Sequence, residues 1–423
     1  MERLPGFRDF FPRPLPQKNQ WEFEARLHLF AAWRRVLAVY GFKEYDGPPV
    51  EPLELFTKKS GREIVGQLYN FDDKGGRAVA LRPEMTPTLA RMVATHERQY
   101  KKPIKWFSIP QLFRYERQQK GRLREHFQLN ADIVGEAGVE ADAELIALLI
   151  DVLRALGLGS DDFVIHLSSR EAWQAFFREH GGSGTDEYEF FQIVDKLERT
   201  PEETAAVKLD KIGVPLEAVR RFITEGELTS QLKIVLKNLR ARGIDQFVKI
   251  DYGVIRGLAY YTGIVFEAFD RRGEFRAIAG GGRYDKLVEL ISDAKTDLPA
   301  LGFGMGDVVL LELLRSRDLL PKGASSVDVY CLIEDEALRS DSLNLIQGLR
   351  DAGFRVDYSL VALKSNKQFC QAMDMGASFT ATLVPGEQLT VRLKSLADRK
   401  EETVAVVDCV AVLKRRLAES HGD

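Results

Sequence analysis

Two strand-like runs that meet through a basic turn constrain the fold of this chain more than any other feature. Residues 104–113 and 125–134 have strand character, and the turn between them carries Arg114, Arg117, Lys120, Arg122 and Arg124 against one acid, Glu116. Strands that follow one another through such a turn point to an antiparallel sheet. Alternation in the second run puts Phe127, Leu129 and Ala131 on one face and Gln128, Asn130 and Asp132 on the other. A polar strand face is ordinarily a solvated one. This face begins beside a cluster of arginines, which is what a site binding both a phosphate and a cationic or polar small molecule requires. The whole chain has a formal net charge of -3, which argues against wholesale coating of nucleic acid and leaves room for a local basic patch. The basic run taken alone is more often just a solvated face.

The remaining pattern divides the 423 residues into parts. Trp21, Ala25, Leu29, Ala32, Trp33 and Val36 stand at helical spacing across 17–40, and Gly41 is a natural stop. Strand character at 42–45 and 78–81 and helices at 86–95 and 141–156 surround the two founding strands. From 169 to 242 the chain changes to short charged helices, an inserted module. Strands resume at 247–255, 263–269 and 274–278, followed by a glycine turn at Gly280, Gly281 and Gly282 and a helix at 305–314. Past Pro321, Lys322 and Gly323, strands at 327–333, 354–360, 379–383 and 389–396 alternate with helices at 337–352 and 366–375. Such alternation predicts a small α/β domain. The expected architecture is α+β: an antiparallel-sheet domain over 1–323 with a helical insertion near 169–242, then an α/β domain over 324–423. With no apolar run long enough to span a bilayer and no leader-like start, a cytoplasmic protein with no membrane partner is expected. Cys331, Cys370 and Cys409 are far apart and read as buried thiols.

Five short blocks carry the chemistry. Leu81-Arg82-Pro83-Glu84-Met85-Thr86-Pro87 sets an acid and a hydroxyl at a strand–helix junction, either as a capped helix start or as part of a site. Residues 113–135 are the strand pair with its basic turn. Residues 254–263 read VIRGLAYYTG, 280–285 read GGGRYD and 301–310 read LGFGMGDVVL. Singly, the last three are a strand with core aromatics, a tight glycine turn and a helix-packing segment in which small residues let the backbone approach a flat ligand. Taken in order and spacing, the 113–135 block resembles the second signature of class II aminoacyl-tRNA synthetases. Arg256-Gly257-Leu258 with Tyr260-Tyr261, and Gly280-Gly281-Gly282-Arg283-Tyr284-Asp285, resemble the two blocks peculiar to the histidyl-tRNA synthetases. The resemblance runs from Leu4-Pro5-Gly6-Phe7-Arg8-Asp9 through the C-terminal domain, which looks like that family's anticodon-binding domain.

The resemblance implies activation of L-histidine with ATP and its transfer to tRNA(His). It places Glu84, Met85, Thr86, Gln128, Asp132, Tyr260, Tyr261 and Tyr284 around histidine, and Arg114, Glu116, Arg256, Arg283 and Gly304 around ATP. Arg114 and Arg256 would be the catalytic pair on the α-phosphate, with Mg2+ bridging the outer phosphates and no metal ligand identified in the protein. Fixed guanidinium groups suit that role, because negative charge spreads over the equatorial oxygens as pyrophosphate leaves. The chain departs from the family's commoner patterns at three positions. Val309 stands where many members carry an arginine under the nucleotide, with Arg117 or Arg283 as possible substitutes, and Ala259 and Met85 replace Asp and Gly. The long first helix and Gly47-Pro48-Pro49 resemble the family's dimer-forming signature, which implies an isologous homodimer. The insertion would cover the RNA acceptor end, and no editing domain is expected. The alternative is a histidine-binding, non-catalytic regulatory subunit of ATP phosphoribosyltransferase. Such relatives usually lack the C-terminal domain and erode the Arg-Gly-Leu block, both of which this chain retains.

Overall fold

The computed structural model describes residues 2–12, 15, 21–60, 62–115, 123–182, 184, 186–197, 200–254, 261–321 and 327–420. Two compact units are present, Met1–Leu320 and Pro321–Asp423. Among the described residues, no helix is long and apolar enough to cross a membrane.

The first unit opens with the short parallel pair β1 (Phe10–Phe11) and β2 (Trp21–Glu22), then helix α1 (Phe23–Val39) and β3 (Lys43–Glu44). A three-stranded sheet, β4 (Val50–Pro52), β5 (Asn70–Asp72) and β6 (Ala78–Leu81), is flanked by α2 (Leu53–Ser60) and α3 (Thr86–His96). There follow β7 (Ile104–Ser108), β8 (Gln111–Phe113), β9 (Glu125–Val134), α4 (Glu140–Arg154) and β10 (Phe163–Ser169). Five helices come next: α5 (Arg170–Glu179), α6 (Glu187–Asp195), α7 (Glu202–Lys211), α8 (Leu216–Glu225) and α9 (Ser230–Ala241). Then β11 (Val248–Ile250), β12 (Ile264–Asp270), β13 (Ala279–Arg283), α10 (Leu287–Ile291), β14 (Ala300–Gly306) and α11 (Asp307–Ser316) complete the unit.

The large sheet has the order β11-β10-β12-β13-β14-β9-β7-β3, with β8 paired to β9. Its pairs from β10 through β12, β13, β14 and β9 to β7 are all antiparallel, and parallel pairing is confined to the two ends. This is the antiparallel α+β architecture expected. One face of β9 buries Leu129, Ala131 and Ile133 against Leu29, Trp33 and Leu37 of α1 and the leucines of α4. Those α1 residues recur every four positions, so one stripe of the helix faces the sheet. By contrast α4 is apolar nearly all round, with Leu145, Ile146, Leu148, Leu149, Ile150 and Leu153 fully buried, because it lies deep in the core.

Several local expectations change. Residues 274–278 are not a strand, and Gly280, Gly281 and Gly282 are not a turn but the middle of β13. The reason is close packing: a Cβ at Gly281 would lie 2.2 Å from the carbonyl oxygen of Gly302 on the neighbouring strand. Arg114 pairs back to the return strand, its N–H donating to the Arg124 carbonyl at 2.9 Å, while 116–122 lie outside the described residues.

In the second unit, β15 (Val329–Leu332), β16 (Val356–Tyr358), β17 (Phe379–Val384), β18 (Thr390–Ser395) and β19 (Glu401–Ala405) form a five-stranded sheet in the order β16-β15-β17-β18-β19. It is parallel up to β17 and antiparallel beyond. Helices α12 (Arg339–Asp351), α13 (Ser365–Asp374) and α14 (Cys409–Ser420) complete it. Cys331 and Cys409 are buried as expected, but Cys370 is exposed, since α13 turns only Gln368 and Ala372 fully inward. Buried Gln368 is satisfied at both ends of its amide, donating to the carbonyls of Ile333 and Leu363 at 2.7 Å and accepting from Ile333 N–H at 2.9 Å.

A buried charge cluster fastens the N-terminal segment to the sheet. Arg8 Nε donates to Glu125 Oε1 at 2.7 Å, and its Nη1 lies 2.9 Å from Asp307 Oδ2, with all three side chains at most 1% exposed. Asp307 Oδ1 also accepts from the backbone N–H of Phe127 at 3.0 Å, and Gln111 donates to the other Glu125 oxygen at 2.8 Å. Arg8 thus joins the first residue of β9 to the first residue of α11. Arg8→Leu leaves two buried carboxylates facing each other, and is expected to cost about 3–5 kcal/mol in equilibrium urea denaturation.

Candidate active site

The polar face of β9 and a lane of glycines beside it create the site. Across the β14–β9 pair, Gly302 stands opposite Asp132, Gly304 opposite Asn130 and Gly306 opposite Gln128; across β13–β14, Gly282 faces Gly302 and Gly280 faces Gly304. Directly paired residues share a face of the sheet. A Cβ at Gly302 would lie 1.9 Å from Asp132 Oδ1, one at Gly304 2.8 Å from Gln128 Nε2, and one at Gly282 2.9 Å from the Tyr261 ring. Absence of side chains here therefore opens a cavity of about 110 Å³, lined by Glu84, Thr86, Arg114, Gln128, Asn130, Asp132, Tyr261, Tyr284, Phe303 and the glycines 280, 302 and 304. A single water needs only roughly 10–15 Å³ on such a measure, so the space suits a small molecule.

Glu84 and Thr86 reach it from the junction of β6 and α3. Arg82, buried beneath that junction, donates to the carbonyls of Gly47 at 2.7 Å and Gln111 at 3.1 Å, which holds the chain extended before Pro83. Thr86 opens α3. Arg114 arrives just past β8, its Nε donating to the Pro83 carbonyl at 3.2 Å, so the basic arm is tied to the segment that presents Glu84. Tyr261 enters ahead of β12 and Tyr284 just past β13.

The two carboxylates of the pocket are held in opposite electrostatic states. Burial pushes Asp132 up to about 7, opposed by the Tyr284 hydroxyl, which donates to its Oδ1 at 2.5 Å. Its Oδ2 is buried with no hydrogen-bond partner among the described residues. Burial also acts against the charge on Glu84, but the ammonium of Lys59 and the guanidinium of Arg114 hold it below the usual carboxylate range. Separating two carboxyl groups in this way assigns them different tasks. A standing ionised acid suits a cationic group, whereas a desolvated carboxylate with an unpaired oxygen calls for an N–H donor from a ligand.

Of the expected site residues, Glu84, Thr86, Gln128, Asp132, Tyr261, Tyr284, Arg114 and Gly304 are brought together. Two take other places. Met85 is fully buried, its sulfur 3.9 Å from Arg82 Nη1, and does not line the cavity. Arg283 is not available to a nucleotide. Its Nη2 lies 2.5 Å from Asp142, its Nε donates to the same carboxylate at 3.1 Å, and its Nη1 and Nη2 donate to the carbonyls of Glu136 and Gly138 at 3.0 and 3.1 Å. A guanidinium so saturated locks β13 to the start of α4. Val309 is half-buried on α11 and packs on the core. Glu116, Arg117, Arg256, Ala259 and Tyr260 lie outside the described residues. Asn130 lines the cavity too, on the polar face that the alternation marks together with Gln128 and Asp132, although the family resemblance assigns it no role. Lys59 had no sequence signal, since only the fold brings α2 to Glu84.

Comparison with known proteins follows the same lines. Residues 17–307 match the family model described as histidyl-tRNA synthetase. The chain belongs to the histidyl-tRNA synthetase family. A second family model, the anticodon binding domain, matches residues 326–416. Among curated members of the histidyl-tRNA synthetase family, the histidine–tRNA ligase of Opitutus terrae is 44% identical, with 95% of each chain covered. That of Leptospira biflexa is 36% identical over 99% of this chain and 98% of its own. The crystal structure of histidyl-tRNA synthetase from Nostoc sp. PCC 7120 superposes with a TM-score of 0.76 at 26% identity, covering 96% of this chain and all of the other. The apo enzyme from S. aureus, at 22% identity and a TM-score of 0.71, shares the fold across 98% of this chain and all of the other.

The raised Asp132 has a consequence for stability that separates it from Glu84. Because the folded state keeps this proton up to about pH 7 while an unfolded aspartate loses it near 3.9, stability declines as pH rises between those values, by roughly 4 kcal/mol in all. Asp132→Asn should therefore unfold at a higher temperature than the parent at pH 8, with the difference vanishing below about pH 4, while ligand binding in the pocket is lost. Paired thermal melts and calorimetric titrations check both halves.

Proposed function

We propose that this chain activates L-histidine with ATP to histidyl-adenylate and transfers the histidyl group to the 3′ end of tRNA(His). The observation that carries the reading is a pocket lined by two buried carboxyl groups in opposite states, Glu84 held below the usual carboxylate range by Lys59 and Arg114 and Asp132 pushed up by burial. An α-ammonium group pairs with Glu84, with the Thr86 hydroxyl and the Gln128 amide alongside. The imidazole N–H donates to Asp132 Oδ2, whose partner oxygen is already held by Tyr284. Tyr261, with Tyr260 beside it in sequence, closes the aromatic wall. Rejection of isosteres follows without proofreading, since any side chain lacking the N–H leaves a buried acceptor unpaired, a penalty worth roughly 10⁴ to 10⁵ in specificity.

In the first step the histidine carboxylate oxygen bonds to the α-phosphorus of ATP and the bond to pyrophosphate breaks. Arg114 stands close to Glu84 and holds the α-phosphate; the family resemblance assigns Arg256 to the same phosphate, and Glu116 and Gly304 to the nucleotide. Magnesium would come with ATP as part of that substrate and would neutralise the charge on the departing pyrophosphate. The terminal ribose hydroxyl of the tRNA then displaces AMP. Residues 1–323 supply the catalytic domain, the helices near 169–242 a cover over the acceptor end, and 324–423 the anticodon-binding domain. The working form is an isologous homodimer in the cytoplasm, joined through α1 and the segment after it. The regulatory alternative is not favoured: the anticodon-binding match is present, and the curated relatives at 36–44% identity are ligases.

The direct test is histidine-dependent exchange of pyrophosphate into ATP by the purified chain. Arg114→Ala should lower the exchange rate about 10² to 10³-fold, the usual cost of one preorganised charge-stabilising donor, and Arg256→Ala should be far more harmful than Lys120→Ala. A folded protein that binds histidine yet exchanges no pyrophosphate returns the assignment to the regulatory subunit.

A further inference from the structure

Lys59 stands behind the pocket wall. Its side chain is 5% exposed and its ammonium is ion-paired with Glu84 Oε2, while Glu84 itself faces the cavity. A lysine is seldom buried so far, because desolvating an ammonium is costly unless an anion compensates it. Its sequence neighbour behaves differently: Lys58 is 31% exposed and reaches Asp293 at 2.8 Å. Helix α2 is a firm platform for the pair, since Leu55 and Phe56 are packed in one core with Leu89 of α3 and Leu287 of α10.

We infer that Lys59 is a positioning residue for the amino-acid substrate, fixing the Glu84 carboxylate, charged and aimed into the pocket, as the acceptor for the substrate's α-ammonium group. This rests on the reading of the pocket given under the proposed function. A glutamate at a strand–helix junction has three rotatable side-chain bonds, so its use as a fixed anion requires an anchor. Lys59 occupies one carboxylate oxygen from the rear and Arg114 adds a second cation from the end of β8, while Asp132 and the phenols of Tyr261 and Tyr284 line the remainder of the cavity. Glu84, Lys59 and Arg114 together carry one net positive charge. A zwitterionic α-amino acid matches that set, its ammonium on Glu84 and its carboxylate towards Arg114, where it must emerge to react. Without Lys59, burial drives Glu84 towards its protonated form, which offers no counter-charge to an ammonium.

The test is steady-state pyrophosphate exchange with the full chain from pH 6.0 to 8.5, each variant's KM taken as a ratio to the parent's at the same pH so that the titration of Asp132 cancels. Lys59→Met is expected to raise the histidine KM about tenfold or more at neutral pH, the equivalent of one pKa unit of lost charge stabilisation, with the KM for ATP unchanged. The ratio should be larger at pH 6.0 than at 8.5, because the unsupported carboxylate is recovered as pH rises. Lys59→Arg should restore most of the histidine affinity. In a Glu84→Gln background, adding Lys59→Met should change the histidine KM no further; that neutral pair leaves no unpaired buried charge and keeps the test open should Lys59→Met alone not fold. A parental histidine KM in Lys59→Met, an equal effect on ATP, or a full further penalty in the Glu84→Gln background would each overturn the assignment. Absence of exchange in the parent chain would instead overturn the function, a separate outcome.

Discussion

The site depends on keeping a carboxylate dry. Asp132 lies on an interior strand of the large sheet, flanked by β14 and β7 in antiparallel pairs, and beneath it the opposite face is closed by apolar residues of α1 and α4. The core buries the carboxyl group from one side and the walls of the small cavity from the other, so that Asp132 is almost inaccessible. The resulting desolvation raises the proton affinity of the group, and among the described residues one of its oxygens has no partner. Such an arrangement is unfavourable for the folded state by itself and favourable only when a ligand supplies the missing donor, so stability is given up locally for recognition.

The glycine lane makes this possible. Strand interiors disfavour glycine, yet β13 reads Ala-Gly-Gly-Gly-Arg and β14 carries Gly302, Gly304 and Gly306. Any side chain at Gly302 or Gly304 would fall on Asp132 or Gln128. The cost in backbone entropy is offset by cross-strand hydrogen bonding on both sides and by arginine clamps at the ends of the lane. Arg283 binds the start of α4, and Arg8 binds Glu125 and Asp307. Both are arginines spent on architecture, which leaves Arg114, within the described pocket, to face the substrate.

Much of this was legible along the chain. The polar alternation Gln128, Asn130, Asp132 marks a strand face whatever its neighbours are, because side chains alternate with period two in any strand. Block order was sufficient for the family, and the family resemblance, rather than the Leu81–Pro87 junction by itself, marked Glu84 and Thr86. Other readings failed for a common reason. Three consecutive glycines look like a turn until the neighbouring strands show that a Cβ at Gly281 or Gly282 would fall on their backbone. Met85 lies between two pocket residues and does not line the pocket, and Arg283 looks like a nucleotide ligand until Asp142, 141 residues distant, is seen to hold it.

By itself, then, the sequence determined the antiparallel α+β class, the family and the chemical types of the pocket, since these rest on local period, residue identity and order. Tertiary structure alone decided which arginine is engaged in the fold, which carboxylate is dry, and that Lys59 stands behind Glu84. Charge states and partners depend on desolvation and on distances between residues far apart in the chain, and neither quantity exists until the strands are paired.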